Sequence, residues 1–275
     1  MVTETQKALV IAAVRDAARA EILPRFRALG AGDVSTKSGP TDLVTLADTE
    51  AEAAIGAAIT AAWPEARVIG EEAVAADKAL RDEMAGPGPV VIVDPVDGTW
   101  NFAKGLAMFG VIVAVAVGGQ PVWGMIYDPV MDDWIEAAEG GVTEFVSAGT
   151  RRRLATSQEE RKSRMAGYVP MGLYPRPLRA RIAQESATFN RIQSLRCSAH
   201  EYRMLAQGHV EFVLTGPVPH PWDHAAGALA VTGAGGVVRF LDGGAYETGR
   251  RKGVLLSAGN EVAWQKVAER FSFLG

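Results

Sequence analysis

Five apolar runs between residues 90 and 149 constrain the fold of this chain more than any other feature. The runs are VVIV, FGVIVAVAV, PVWGMIYDP, DDWIEAAE and TEFVSAG. They are rich in β-branched and aromatic residues, and glycine, proline and aspartate separate them. Runs of this kind joined by short turn signals are typical of neighbouring strands, so the pattern predicts an antiparallel sheet.

Two helices are predicted before this sheet. Residues 5–29 carry apolar side chains at helical spacing, and Gly30 ends the pattern. The stretch ADTEAEAAIGAAITAAWP (47–64) has one apolar face and stops at Pro64. The polar segment between them, 32–45, is interpreted as a connector.

Strand and helix patterns alternate after residue 150. Strand-like runs such as MAGYV and HVEFVLT are separated by helical patterns near 178–189 and 200–207, and a last helix follows Asn260. This alternation indicates an α/β lobe over 151–275, joined to an α+β lobe over 1–150. The basic run Arg151-Arg152-Arg153 is interpreted as a solvated turn.

The composition excludes several classes of protein. Of 275 residues, 48% are hydrophobic and 22% are charged, which is typical of a globular chain with a large core. The net charge of −4 disfavours binding to a nucleic-acid polymer. The opening MVTETQKALV lacks the basic start of a signal peptide, and no apolar run is long enough to cross a membrane. We therefore expect a soluble, cytoplasmic protein.

Cysteine and histidine are scarce. Cys197 is the single cysteine, which excludes an intrachain disulfide, and the 4 histidines give little material for a zinc site built from sulfur and nitrogen. Any metal in this protein would be bound mainly by oxygen.

Two aspartates directly follow the apolar run VVIV, in the sequence VDPVDGTWNF (93–102). Strand alternation would point Asp94 and Asp97 to opposite faces, but a turn that begins at Pro95 would bring them together. Two adjacent carboxylates raise each other's pKa unless a cation compensates, and oxygen ligands suit Mg²⁺ or Mn²⁺. A helix that starts after Gly98 would direct free N–H groups at an anion such as phosphate.

Two alternatives stay open for these acidic residues. Asp-Pro and Asp-Gly are also favoured turn dipeptides, so DPVDGT could be a turn with no ligand. Glu71 and Glu72 follow a short apolar strand and Asp223 precedes a helix of small residues. An aspartate in that place is either a metal ligand or an N-cap.

Taken together, four motifs resemble the inositol monophosphatase family of Mg²⁺-dependent phosphatases. The motifs, in family order, are KSGPTDLVTLAD (37–48), VIGEE (68–72), DPVDGTWNF (94–102) and WDHAAGALAVTGAGG (222–236). The resemblance spans nearly the whole chain. It implies a layered α-β-α-β-α sandwich, a homodimer, sensitivity to Li⁺ and two or three Mg²⁺ ions for each active site, with Mn²⁺ as a substitute.

The resemblance also implies roles for individual residues. The first metal would be bound by Glu71, Asp94 and the carbonyl of Val96, and the second by Asp94, Asp97 and Asp223. Thr99, with Asp48 as its partner, and Glu71 would position the attacking water. Phosphate would be bound by the amides of Gly98 and Thr99, and a third metal would lie near Lys37 and Asp48.

The chain departs from inositol-selective relatives on the leaving-group side of the site. Where those relatives have Gly-Thr-Ala or Gly-Ser-Ala, this chain has Ala199-His200-Glu201, and Thr215 and Gly216 lie where they have a glutamate before the Trp-Asp motif. The expected substrate is therefore a small polar phosphate ester similar to inositol 1-phosphate, hydrolysed by metal-activated water. The alternatives are histidinol phosphate, a sugar bisphosphate, a 3′-phosphonucleotide, or a non-catalytic binding protein that retains the fold.

Overall fold

The computed structural model describes residues 2–30, 32–39 and 42–275 and folds them into helices and sheets. The helices are α1 (Glu4–Ala17), α2 (Leu46–Ala62), α3 (Glu71–Ala76), α4 (Leu80–Glu83), α5 (Thr99–Ala103), α6 (Arg176–Ser186), α7 (Ser198–Ala206), α8 (Pro221–Gly233) and α9 (Glu261–Arg270). The strands are β1 (Val34–Gly39), β2 (Asp42–Thr45), β3 (Arg67–Gly70), β4 (Pro89–Asp97), β5 (Gly110–Val117), β6 (Gln120–Asp128), β7 (Asp133–Ala138), β8 (Glu144–Ser147), β9 (Thr150–Arg153), β10 (Ala166–Tyr168), β11 (Arg191–Gln193), β12 (Phe212–Leu214), β13 (Val237–Phe240) and β14 (Leu255–Ala258).

A seven-stranded sheet occupies the first half of the chain. Its strands follow chain order from β3 to β9. Strands β4 to β9 pair antiparallel, each with its neighbour, which confirms the predicted antiparallel sheet. Strand β3 is added in parallel beside β4. This parallel pairing places the end of β3, and Glu71 after it, next to the end of β4.

Both faces of the central strands of this sheet are buried. Along β5, Val111, Val113 and Val115 pack with the helices α1 and α2, whereas Ile112 and Ala114 face a different cluster that includes α7 and α8. Successive side chains of a strand point to opposite faces, so a strand covered on both sides must be apolar at every position. The continuous run FGVIVAVAV is therefore explained by helices on both sides of the sheet.

A second sheet of five strands lies beyond α7 and α8. The order of its strands is β11-β10-β12-β14-β13. Strand β10 is parallel to β11 and β12, and strand β14 is antiparallel to β12 and β13. Residues of α9 pack with β12 and β14 in a further apolar cluster. The layers are thus helix, sheet, helix, sheet, helix, which confirms the predicted sandwich.

Three details differ from the sequence predictions. The segment interpreted as a connector contains an antiparallel hairpin of β1 and β2. The first helix ends at Ala17 and continues as a π-helical turn, Ala18–Ile22, and a 3-10 turn, Leu23–Arg25. The three arginines at 151–153 are exposed, as expected, but they lie in the edge strand β9 and not in a turn. The division into lobes at residue 150 stays a prediction.

Helix α8 packs closely because small residues line it. A Cβ atom added at Gly227 would lie 2.3 Å from the ring of Tyr202 on α7. A Cβ at Gly124 on β6 would lie 2.8 Å from the Cα of Ala226. These contacts leave no room for a methyl group, so the glycines set the distance of α8 from its neighbours.

We predict opposite effects for two glycine-to-alanine changes inside helices. Alanine stabilises a helix interior by about 1 kcal/mol relative to glycine, so Gly56→Ala in α2, where the nearest atom to a new Cβ is 3.9 Å away, should raise stability. Gly227→Ala should instead lower it by about 1–3 kcal/mol because the methyl group overlaps Tyr202. Urea denaturation measures both, and equal midpoints for the two variants would contradict the packing argument.

Candidate metal centre

Three aspartates from two distant segments meet between the layers. Asp94 and Asp97 lie at the end of β4, and Asp223 lies in the first turn of α8. One carboxylate oxygen from each lies within 4.8 Å of the others, and we call these three residues the aspartate cluster. The structure thus brings together the three ligands that the resemblance implies for the second metal.

A bulge in β4 brings Asp94 and Asp97 to the same side. Asp94 pairs with Ile112 and Asp97 with Gly110, so three steps along β4 match two along β5. The extra residue of a bulge shifts the alternation of side chains and lets the strand continue through Pro95. The prediction that a turn begins at Pro95 was therefore wrong, although the two carboxylates do meet.

Burial makes the charges of the aspartate cluster costly. Desolvation is the main cause that raises the pKa of Asp94, Asp97 and Asp223, and the neighbouring carboxylates, including Glu71, raise the pKa of Asp94 and Asp223 further. A divalent cation would offset this repulsion, and a donor set made of carboxylate oxygens fits a hard cation such as Mg²⁺ or Mn²⁺.

Glu71 begins helix α3 and pairs with a lysine. The Nζ atom of Lys37, on β1, lies 2.7 Å from Glu71 Oε1 and 2.6 Å from Glu72 Oε1. Burial alone would lower the pKa of Lys37, but these two carboxylates outweigh it and hold the pKa above its usual value. Burial raises the pKa of Glu72 to about 7. We call Glu71, Glu72 and the aspartate cluster the acidic region. The ammonium group of Lys37 therefore lies at the edge of this region.

Thr99 and Asp48 are joined by a hydrogen bond next to the aspartate cluster. The Oγ1 atom of Thr99 lies 3.0 Å from Asp48 Oδ1 and 3.0 Å from the carbonyl oxygen of Val96. Asp48 is held in turn by Thr45, whose amide donates to Asp48 Oδ2 at 2.8 Å. Burial raises the pKa of Asp48 to about 6. A hydroxyl that donates its hydrogen to a carboxylate keeps its lone pairs to accept a hydrogen bond.

Gly98 connects the bulged strand to helix α5 in a conformation that favours glycine. Its φ angle is +90°, and a Cβ there would lie 2.8 Å from the carbonyl oxygen of Met108. Both the backbone angle and the lack of space exclude a side chain. Helix α5 then begins at Thr99, as the sequence predicted.

The start of α7 holds Asp97, a contact that the sequence did not reveal. The amide of Ala199 and the thiol of Cys197, with the Sγ atom at 3.1 Å, both donate to Asp97 Oδ2. No sequence pattern relates residues about a hundred positions apart, so this support for Asp97 needed the structure.

The predicted substrate-side residues have partners within the protein. His200 Nε2 lies 3.1 Å from the carbonyl oxygen of Phe109, and buried Glu201 accepts from the amide of Leu195 at 2.7 Å. The hydroxyl of Thr215 donates to the carbonyl of its neighbour Gly216 at 2.9 Å. Glu201 therefore stabilises the turn before α7, and a role of these side chains toward substrate stays a prediction.

Asp223 is not the N-cap of its helix. His220 takes the N-cap position of α8, Pro221 is the first helical residue, and Asp223 follows within the first turn. The N-cap alternative for Asp223 is therefore wrong, and its side chain lies with the aspartate cluster.

The five-layer fold and this oxygen-rich centre are those of a metal-dependent phosphatase. The chain belongs to the inositol monophosphatase family, whose family model matches residues 3–273. Its members are metal-dependent phosphoric monoester hydrolases, and the expectation of an enzyme of this class is confirmed.

Curated relatives and solved structures agree with this assignment. Human inositol monophosphatase 1 is 26% identical over 246 residues, which cover 88% of this chain and 86% of that protein. The fructose-1,6-bisphosphatase/inositol-1-monophosphatase of Thermotoga maritima is 30% identical over 212 residues, 77% of this chain and 76% of that protein. The structure of extragenic suppressor protein suhB from Bartonella henselae matches with a TM-score of 0.78 at 27% identity, over 97% of this chain and 98% of that chain.

Within residues 2–30, 32–39 and 42–275, no helix is both long and apolar enough to cross a bilayer.

We predict that Asp94→Asn has opposite effects on stability with and without metal. In EDTA at pH 8 the change removes one repelling charge, so the melting temperature should rise, by about 2–4 °C for each kcal/mol of repulsion removed. Added Mg²⁺ should then stabilise the wild type, since a ligand that binds the folded state raises stability, and should stabilise the variant much less. Calorimetry measures both, with Asp16→Asn on the exposed face of α1 as the matched control. Equal stabilisation of Asp94→Asn and wild type by Mg²⁺ would contradict the metal site.

Proposed function

We propose that this protein is a Mg²⁺-dependent phosphomonoesterase that acts on a small polar phosphate ester similar to inositol 1-phosphate. The observation that carries the proposal is the aspartate cluster beside the hydrogen-bonded pair of Thr99 and Asp48. Carboxylates that can bind cations and a hydroxyl that can orient water are thus adjacent, an arrangement that suits metal-assisted hydrolysis of a phosphate ester.

The residues that would hold the ions are those of the acidic region. Glu71, Asp94 and the carbonyl of Val96 would bind one ion, and Asp94 with the rest of the aspartate cluster would bind the other. Bound Mg²⁺ would lower the pKa of a coordinated water and offset negative charge on the phosphoryl oxygens. Glu71 would exchange its pairing with Lys37 for this role.

The remaining residues would position water and phosphate. Asp48 and the carbonyl of Val96 are both acceptors for the hydrogen of the Thr99 hydroxyl, so its lone pairs can accept a hydrogen bond from the attacking water and fix the direction of attack. The amides of Gly98 and Thr99, which follow the bulged strand directly, would donate to phosphate oxygens. No covalent bond between protein and phosphate is required.

We predict that the wild type releases phosphate in Mg²⁺ and prefers one ester of a four-member panel. The panel is myo-inositol 1-phosphate, histidinol phosphate, fructose 1,6-bisphosphate and 3′-phosphoadenosine 5′-phosphate, which represents each class of substrate that the sequence leaves open. Asp94→Asn and Thr99→Ala should each lower kcat about 100-fold or more, since each removes a group that acts on the reacting atoms. Asp16→Asn should leave the rate unchanged.

Phosphate release by Asp94→Asn at the wild-type rate would contradict the proposal. If the wild type binds Mg²⁺ and hydrolyses none of the esters, the non-catalytic alternative gains support, and the leaving-group side from Ala199 to Glu201 becomes the next object of mutation.

We further propose a cytoplasmic, Li⁺-sensitive homodimer, for which the family resemblance is the support. Light scattering should give a mass about twice the 29.2 kDa of one chain, and millimolar Li⁺ should inhibit phosphate release. A monomer, or activity unaffected by Li⁺, would correct the corresponding part of the proposal.

A further inference from the structure

Helix α3 has a cap that comes from another helix. Its N-cap residue is Gly70, which has no side chain to bind the free amides of the first turn. Glu52, on α2, fills this place: Glu52 Oε2 accepts from the amide of Glu72 at 2.8 Å, and Oε1 accepts from the amide of Ala73 at 2.8 Å. Both oxygens of one carboxylate are thus bound to consecutive amides, and hydrogen bonds to a charged group are stronger than neutral ones.

The space for this cap exists because residue 70 is glycine. A Cβ atom added at Gly70 would lie 2.1 Å from both Cδ and Oε2 of Glu52. The backbone of Gly70, with φ −106° and ψ 174°, is ordinary extended chain that any residue adopts. Glycine is therefore required at this position by the carboxylate of Glu52 and not by backbone conformation.

The capped turn carries Glu71. Glu71 is the first residue of α3, and the two amides held by Glu52 are those of the next two residues. Glu71 lies close enough to the aspartate cluster to raise the pKa of Asp94. Because Glu52 fixes the backbone on the C-terminal side of Glu71, it fixes the direction in which the Glu71 side chain leaves the helix.

We propose that Glu52 is a positioning residue of the metal centre, which caps α3 from α2 and so holds Glu71 in place to bind metal. The inference rests on the proposed function in taking Glu71 as a ligand. Groups that hold a metal ligand in place commonly change metal affinity 10- to 100-fold when they are replaced.

The first test is Mg²⁺ titration calorimetry on Glu52→Gln. The glutamine offers one acceptor oxygen, and its NH₂ group faces the second amide, so one of the two hydrogen bonds is lost. We expect the Kd for Mg²⁺ to rise about 10-fold. The KM for Mg²⁺ in phosphate release should rise with it, while kcat at saturating Mg²⁺ changes little, because both carboxylate oxygens of Glu52 bind backbone amides of α3 and Glu52 has no proposed role toward water or phosphate.

Gly70→Ala tests the same contact without a change of charge. Its methyl group would displace the Glu52 carboxylate, so the Kd should rise here as well. The double variant Glu52→Gln with Gly70→Ala should be little worse than the weaker-binding single variant, because both changes break one contact. If Glu52→Gln does not fold, the Kd of Gly70→Ala for Mg²⁺ decides whether this contact holds Glu71 in place.

Glu211→Gln is the matched control. Glu211 is a buried glutamate that accepts from the amide of Ala166 at 2.6 Å and from Ser157 Oγ at 2.8 Å. Glu211→Gln and Glu52→Gln each remove a hydrogen bond to a backbone amide or a hydroxyl, so both variants should have a lower melting temperature. Glu211→Gln should leave the Kd for Mg²⁺ unchanged.

Three outcomes would overturn the role of Glu52: wild-type affinity for Mg²⁺ in Glu52→Gln, wild-type affinity in Gly70→Ala, or an equal loss of affinity in Glu211→Gln. Failure of the proposed function is visible separately, as a wild type that binds Mg²⁺ and releases no phosphate, and the titrations still decide the role of Glu52 in that case. A wild type without Mg²⁺ binding would overturn both.

Discussion

Carboxylates that repel one another lie together in the interior of this protein, and much of the surrounding structure limits that repulsion. Asp97 receives hydrogen bonds from the start of α7, and Asp94 receives one from the amide of Val96 at 3.1 Å. Amides and thiols stabilise a carboxylate but add no positive charge. Lys37 is bonded to Glu71 and Glu72 and not to the aspartates. The aspartate cluster therefore retains the negative charge that attracts a cation.

The same packing that builds the core also builds the site. The cluster needs α7 and α8 to approach the end of β4, and glycines allow that approach: a Cβ at Gly110 on β5 would lie 2.7 Å from the Cβ of Ala199. Gly124 and Gly227 do the same for α8. A larger residue at any of these positions would move a helix and with it a ligand or its hydrogen-bond donor. Stability and function are thus coupled through close contacts of small residues.

Local patterns in the sequence predicted most of the fold and indicated the acidic residues that the structure brings together, and long-range contacts account for what the patterns missed. Apolar runs and turn residues indicated the antiparallel sheet, and DPVDGT indicated that Asp94 and Asp97 meet. A β-bulge, and not a turn, brings the two aspartates together. Pro95 is compatible with both, and the pairing of β4 with β5 decides between them. The thiol of Cys197 on Asp97 and the carboxylate of Glu52 in the space at Gly70 depend on tertiary packing, for which one sequence has no signal.

The hydrogen-bond partners of an acidic side chain distinguish a residue that holds structure in place from a proposed metal ligand. Glu52 has both oxygens on backbone amides, and Glu211 has both on an amide and a hydroxyl. A carboxylate with a protein donor on each oxygen holds structure in place. Asp94 and Asp223 instead lie with Asp97 in the aspartate cluster, where one carboxylate oxygen of each is within 4.8 Å of the others, and burial raises the pKa of both. A carboxylate must be deprotonated to bind a cation, so cation binding at these aspartates is coupled to the release of any proton that they hold.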